Sequence, residues 1–284
     1  MNQYHAFGLN IQSDLIFPEL FPVESDELDV EIKQADALFD FDEATAKSQD
    51  TGGGRQFLLK TKNVADFLIT DCNLILYRRI GGVEDDTLRL FLLGSCLGCI
   101  LQQRGYIVLH GNAVSTDGKT CKIIVGHRGA GKSTAAAWHY RQGDRILADD
   151  VCAITFDAHG NPLVIPSYPQ IKLWKASANL LDINTNGLRR IRSEKDKFAI
   201  PLGNQFWREP MPLTEVIELS STNTVSRTIE GMDKARCLKE HSYRYHFLEK
   251  MGMTSDYMKK LLNLAGKIDL RTGVRMSLGD SEAS

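Results

Sequence analysis

Apolar positions fall into two regimes along this chain. Up to about residue 80 the apolar runs are short and interleaved with polar residues. Asp29-Val30-Glu31-Ile32-Lys33 puts every second side chain on one face, the mark of a half-buried strand. Residues 57–60, 65–69 and 73–77 read as successive strands joined by short turns, and residues 4–11 alternate loosely as one more strand. Pro18 and Pro22 interrupt residues 17–22, so that stretch is an extended turn, and Gly52-Gly53-Gly54 is another turn. The expectation is a small antiparallel sheet over residues 1–85. Gly81-Gly82 then marks the boundary with a second domain, residues 86–284.

From Asp85 the pattern changes. Asp85-Asp86-Thr87 opens a helix whose apolar positions Leu88, Phe91, Leu92, Cys96, Cys99 and Ile100 give a wide buried face, and it ends near Gly105. Residues 106–114 read as a strand. A turn at Asp117-Gly118-Lys119 leads into a second strand over 121–125, forming a hairpin, so the sheet is partly antiparallel. Residues 133–140 are a helix-forming run. Residues 145–151 make a strand ending in two carboxylates, and 152–156 continue as a strand against which 163–165 pair back. Residues 168–181 read as a helical region, 213–219 as a strand, 235–249 and 255–264 as helices, and 270–278 as a last strand. The fold class is α/β with a mixed sheet.

Composition changes this picture little. Hydrophobic residues make up 43% and charged residues 25%, the usual balance of a globular protein. A formal net charge of -2 gives no sign of a nucleic-acid partner. No apolar run is long enough to span a bilayer, and no signal peptide is visible at the N-terminus, so a cytoplasmic location is expected. The six cysteines are scattered. Cys96 and Cys99 have C-x-x-C spacing but lie on an apolar helical face without a second pair, and they read as core packing.

The chemistry concentrates at Gly126-His127-Arg128-Gly129-Ala130-Gly131-Lys132-Ser133-Thr134, which fits G-x-x-x-x-G-K-[ST] between a strand and a helix. Glycines let the backbone turn and aim N–H groups at phosphate oxygens, and the helix start adds partial positive charge. Gly126, Arg128, Gly129, Ala130, Gly131, Lys132, Ser133 and Thr134 are the candidate nucleotide-binding residues. Lys132 serves the β- and γ-phosphates, and Ser133 is a candidate Mg²⁺ ligand. ATP and Mg²⁺ are the expected cofactors.

Asp149 and Asp150 follow an apolar run shortly after this loop. Phosphoryl transfer to a hydroxyl needs a metal ligand and a carboxylate that receives or orients the nucleophile's proton, and adjacent residues at a strand end point in different directions to divide those roles. The hairpin leads from His110 to the loop and makes it a candidate neighbour of that site. The basic group Arg189, Arg190, Arg192, Lys195 and Lys197 reads as a solvated face, with phosphate neutralisation or docking of an acidic acceptor as the alternative.

Leu109-His110-Gly111, the glycine loop and Arg145-Ile146-Leu147-Ala148-Asp149-Asp150 together resemble the kinase domain of HPr kinase/phosphorylase over about residues 88–157. The resemblance continues more weakly through Pro166-Ser167-Tyr168-Pro169 and Leu173-Trp174. It implies a P-loop kinase fold related to phosphoenolpyruvate carboxykinase, with Lys132 and Ser133 handling phosphate and Mg²⁺. It makes Asp149 a metal residue, Asp150 the catalytic base and His110 its neighbour. Two departures stand out: Thr134 follows Ser133 where the family usually has Glu, and a C-terminal signature rich in Gly, Arg, Asn and Glu is missing. These leave phosphorolysis and hexameric assembly open. The chain looks more like divergent HPr-kinase-like proteins, some of which sit beside peptide-maturation genes and phosphorylate peptides. The implied activity is therefore transfer of the γ-phosphoryl group to a serine of a peptide or protein. A kinase of a small metabolite and a non-catalytic nucleotide sensor stay open beside it, as does a homo-oligomer. No convincing His/Lys/Asp set marks the second metal of a carboxykinase.

Overall fold

The computed structural model describes residues 1–36, 40, 56–192, 194–220 and 225–274. Gly52-Gly53-Gly54 and the tail of the expected last strand, 275–278, lie outside them. The backbone is mixed α/β, with sheets of mixed direction and few helices. Its contacts divide it into two units: Met1–Val108 with Tyr243–Lys259, and Leu109–Ser242 with Lys260–Ser284.

In the first unit, β1 (Asn2–Ala6), β2 (Leu9–Ser13), β3 (Phe21–Pro22), β4 (Val30–Gln34), β5 (Phe57–Thr61), β6 (Ala65–Thr70) and β7 (Leu74–Arg79) form one sheet in the order β3-β1-β2-β4-β7-β6-β5. Residues 4–11, expected as one strand, are instead a hairpin. Phe7 and Gly8 both take positive φ, 56° and 69°, and turn the chain back on itself. Nor is the sheet purely antiparallel, because β4 runs parallel to both β2 and β7. The excursion from Asp14 to Asp29 is long enough to return the chain to the same end of the sheet, which a parallel neighbour requires. Val30 and Ile32 are fully buried where β4 enters.

The expected helix over 88–101 forms as α1 (Asp85–Phe91) and α2 (Leu97–Gln103), with a π-helical turn, Leu92–Cys96, between them. Gly94 and Gly98 face Tyr243, and a Cβ at Gly98 would stand 2.9 Å from the Tyr243 ring. Close approach of that ring therefore requires glycine here. Cys96 and Cys99 are buried free thiols.

β8 (Ile107–Leu109) carries the chain out of the first unit, and the second unit holds β9 (Gly111–Ser115), β10 (Cys121–Gly126), β11 (Arg145–Asp149), β12 (Cys152–Phe156) and β13 (Pro162–Ile165). A separate pair, β14 (Gln170–Trp174) and β15 (Lys197–Pro201), is antiparallel. β16 (Met211–Ser220) lies parallel to β10 on one side and to β17 (Asp269–Val274) on the other. The sheet runs β11-β9-β10-β16-β13-β12, with β17 paired to β16. β9 and β10 form the expected hairpin.

Three expectations need correction here. Residues 106–114 are two strands broken at His110. Residues 170–174 are strand, and only α4 (Lys175–Leu180) after α3 (Lys132–Arg141) is helical in that stretch. A short apolar run does not declare its period; here Ile171 and Leu173 are held opposite Ile200 and Phe198 of β15. Residues 235–249 are not one helix. α5 (Met232–Glu240) ends at His241, and α6 (Tyr245–Lys250) begins after Arg244 at a φ of 47°. α7 (Thr254–Ala265) follows.

Candidate active site

The glycine-rich loop joins β10 to α3. Gly126 has a φ of 149°, and a Cβ there would lie 2.5 Å from the Leu219 carbonyl oxygen of the neighbouring strand. Gly129 and Gly131 take φ of 86° and 102°, the left-handed region that side-chain-bearing residues avoid. Gly131 is the residue from which α3 starts, so the first N–H groups of the helix, which have no intrahelical acceptors, face the loop. Lys132 folds back across it: its Nζ donates to the Gly126 carbonyl at 2.5 Å and the His127 carbonyl at 3.3 Å. Burial pulls this ammonium below its ordinary value, against the carboxylates of Asp150 and Asp149, whose charges raise it. The loop lysine and the two acids thus act on one another. Ser133 follows, half-buried, and Thr134 Oγ1 donates to Ser177 Oγ at 3.1 Å. Ala130 is buried, whereas His127 and Arg128 are exposed.

β11, expected over 145–151, stops at Asp149; Asp150 follows it, and the two carboxylates sit in different environments. Asp149 is 3% exposed; it accepts from Asn112 Nδ2 at 2.5 Å and from the Lys172 backbone N–H at 2.8 Å. Burial pushes its carboxyl up, with Lys172 opposing. Asp150 has a φ of 76°, outside the strand region, where the strand stops. Its Oδ2 lies 3.3 Å from Lys172 Nζ and its Oδ1 3.2 Å from His110 Nδ1. Burial works against its charge, but Lys172 and His110 outweigh burial and hold the carboxyl well below the usual carboxylate range. His110 in turn is fixed by its backbone N–H, which donates to the His241 carbonyl at 2.8 Å.

Lys172 is the residue that sequence reasoning missed. Its side chain is 6% exposed, and its Nζ sits 5.8 Å from the centre of the Tyr168 ring. Burial alone would pull the ammonium down; a hydrogen bond with Tyr168 and the two carboxylates keep it charged. A lysine in a strand flanked by apolar residues is the available signal, and it was hidden by reading 168–181 as a helix. Of the basic group, Lys197 projects its charge onto Lys132, Asp149 and Asp150. Arg190 instead pairs with Asp196, and Arg192 with Glu194.

No family model matches this chain, nor does any curated protein sequence. Among solved structures, it is similar to the HPr(Ser) kinase/phosphatase from Coxiella burnetii, with 14% identity and a TM-score of 0.29, over 55% of this chain and 98% of that one. No helix among the described residues is long and apolar enough to cross a membrane.

Proposed function

We propose that this protein is an ATP-dependent, HPr-kinase-like enzyme that transfers the γ-phosphoryl group to the serine hydroxyl of a peptide or protein, in the cytoplasm. The observation that carries this reading is the glycine loop between β10 and α3 with Lys132 folded back over it, in the same unit as the Asp149 and Asp150 carboxylates that Asn112, Lys172 and His110 hold. The residues suit a magnesium nucleotide. At Gly126 a Cβ would fill the space against Leu219, and Lys132 supplies the cation for the phosphates. Ser133 and Asp149 would hold Mg²⁺. Each Asp149 oxygen accepts one hydrogen bond here and has a second lone pair for a metal. Bound magnesium would neutralise charge on the transferring group.

The remaining work falls to Asp150, Lys172 and His110. Asp150 stays ionised and accepts the hydrogen bond of the incoming hydroxyl, which orients the oxygen for attack. A carboxylate held this far below its usual range is a weak base. It therefore suits the late proton transfer of a loose transition state, where positioning dominates. Lys172 holds Asp150 in place, and His110 fixes its other oxygen.

The test is Asp150→Asn with γ-labelled ATP, Mg²⁺ and a lysate of the host. A labelled peptide or protein band that the variant loses by at least about 100-fold, with nucleotide affinity kept, supports the kinase. Label in small molecules alone indicates a metabolite kinase. Nucleotide binding without label in either fraction indicates a sensor and overturns the proposal.

A further inference from the structure

Beside the glycine loop lies a second group of side chains that phosphoryl transfer does not use. Glu218 stands on β16 opposite Val125 of β10. Cys237 lies in the last turn of α5, and His241 follows the end of that helix four residues later, so both project from one face. One ligand atom from each of Glu218, Cys237 and His241 lies within 4.8 Å of the other two. His241 Nε2 is 2.8 Å from Glu218 Oε1. Cys237 and His241 are 6% and 4% exposed, whereas the Glu218 side chain keeps 23% of its surface, which leaves an approach for a small ion. The backbone beneath is fixed: the His241 N–H donates to the Cys237 carbonyl at 3.1 Å, and the His241 carbonyl accepts from His110.

We propose that Glu218, Cys237 and His241 form a binding site for one zinc ion, separate from the Ser133 and Asp149 pair. The donor set selects the metal. A thiolate and an imidazole suit zinc, whereas Mg²⁺ and Ca²⁺ take oxygen ligands. Tetrahedral zinc with bonds of about 2.0–2.3 Å sets its ligand atoms roughly 3.3–3.8 Å apart. His241 and Glu218 reach that spacing when their 2.8 Å hydrogen bond opens by less than about 1 Å, and Cys237 Sγ, within 4.8 Å of both, need close by no more than about 1.5 Å. On binding, the Cys237 thiol gives its proton to solvent and coordinates as thiolate. Neutral His241 offers the Nε2 lone pair, Glu218 coordinates as carboxylate, and two metal bonds replace their mutual hydrogen bond. The fourth position belongs to water; the His127 ring lies 5.3 Å from that of His241, with its Nε2 held 2.8 Å from Glu240 Oε1. The ion would thus brace β16, beside the start of the glycine loop, against the end of α5. This site does not depend on the kinase reading.

The test uses the full-length protein, stripped of metal with a chelator and titrated with Co²⁺ and then Zn²⁺. One equivalent of cobalt with a thiolate-to-cobalt absorption band, displaced by zinc and not by Mg²⁺, is expected. Cys237→Ser, nearly isosteric, should abolish the band and weaken zinc binding beyond the roughly 10–100-fold that an outer-shell residue costs. Glu218→Gln should keep the band and lose zinc affinity. It also carries the test if tryptophan fluorescence shows that the serine variant has not folded. Cys72→Ser, at the one free cysteine that is not buried, should change nothing. Absence of the band in the native protein, or zinc binding unaltered by Cys237→Ser and Glu218→Gln, overturns the site.

Discussion

Lys172→Met removes the cation that holds Asp150 and leaves the rest of that strand alone, since Asp149 accepts from the residue-172 backbone N–H, which methionine keeps. Opposite charges 3.3 Å apart attract by about 5 kcal/mol at an effective dielectric of about 20. Freeing the ammonium from burial offsets part of this, and Asp150 retains His110 and the water over its one-third-exposed side chain. The expected net destabilisation is therefore about 2–4 kcal/mol. All three tryptophans, Trp138, Trp174 and Trp207, belong to the unit built on 109–242, so their fluorescence follows that unit. With a urea slope of roughly 2–3 kcal/mol per M, the midpoint should fall by about 1 M.

The pH dependence of this variant has a definite sign. In the native protein the Asp150 carboxyl is held below its ordinary value. Its share of stability is thus present above the usual carboxylate pKa, about 4, and is lost as pH falls through the lower folded value. With methionine at 172 that carboxyl loses the largest charge opposing burial and rises from its native value, so the deficit of the variant shrinks as pH falls into the carboxylate range. Adding Asp150→Asn removes the orphaned charge, and asparagine tolerates the positive φ of that position. The double variant should recover about 1–3 kcal/mol relative to Lys172→Met. A Lys172→Met midpoint within error of the native one, or a double variant as destabilised as the two single changes summed, would refute this account of the site.

Two further substitutions test backbone and core. Gly126→Ala puts a Cβ against the Leu219 carbonyl at a φ of 149°, whereas Gly129→Ala meets open space at 86°. The first should cost more than the 1–2 kcal/mol typical of left-handed strain and the second about that amount, both read from the tryptophan midpoint; equal costs would contradict the close approach. In the first unit, Arg89 pairs with Glu19, their side chains 9% and 4% exposed. Arg89→Met should cost about 3–5 kcal/mol and speed amide exchange in strands β1 and β2, and unchanged exchange would show that the pair contributes little.

What the sequence determined is what neighbouring residues settle among themselves. The glycines at 126, 129 and 131, the strand before them and the helix after them are contiguous, so spacing alone announces where the chain turns. The β9–β10 hairpin and the helix over 85–103 were legible for the same reason. Tertiary structure decided whatever depends on a partner far along the chain. Residues 170–174 become a strand because residues 197–201 pair with them, and that pairing, not local period, brings Lys172 to Asp150. The parallel placement of β4 rests on the path of an entire excursion. Glu218 meets Cys237 and His241 only because α5 ends beside β16. Hydrophobic periodicity records which face is buried; which buried face meets which is set by long-range packing, and the charge balance around Asp149 and Asp150 follows from it.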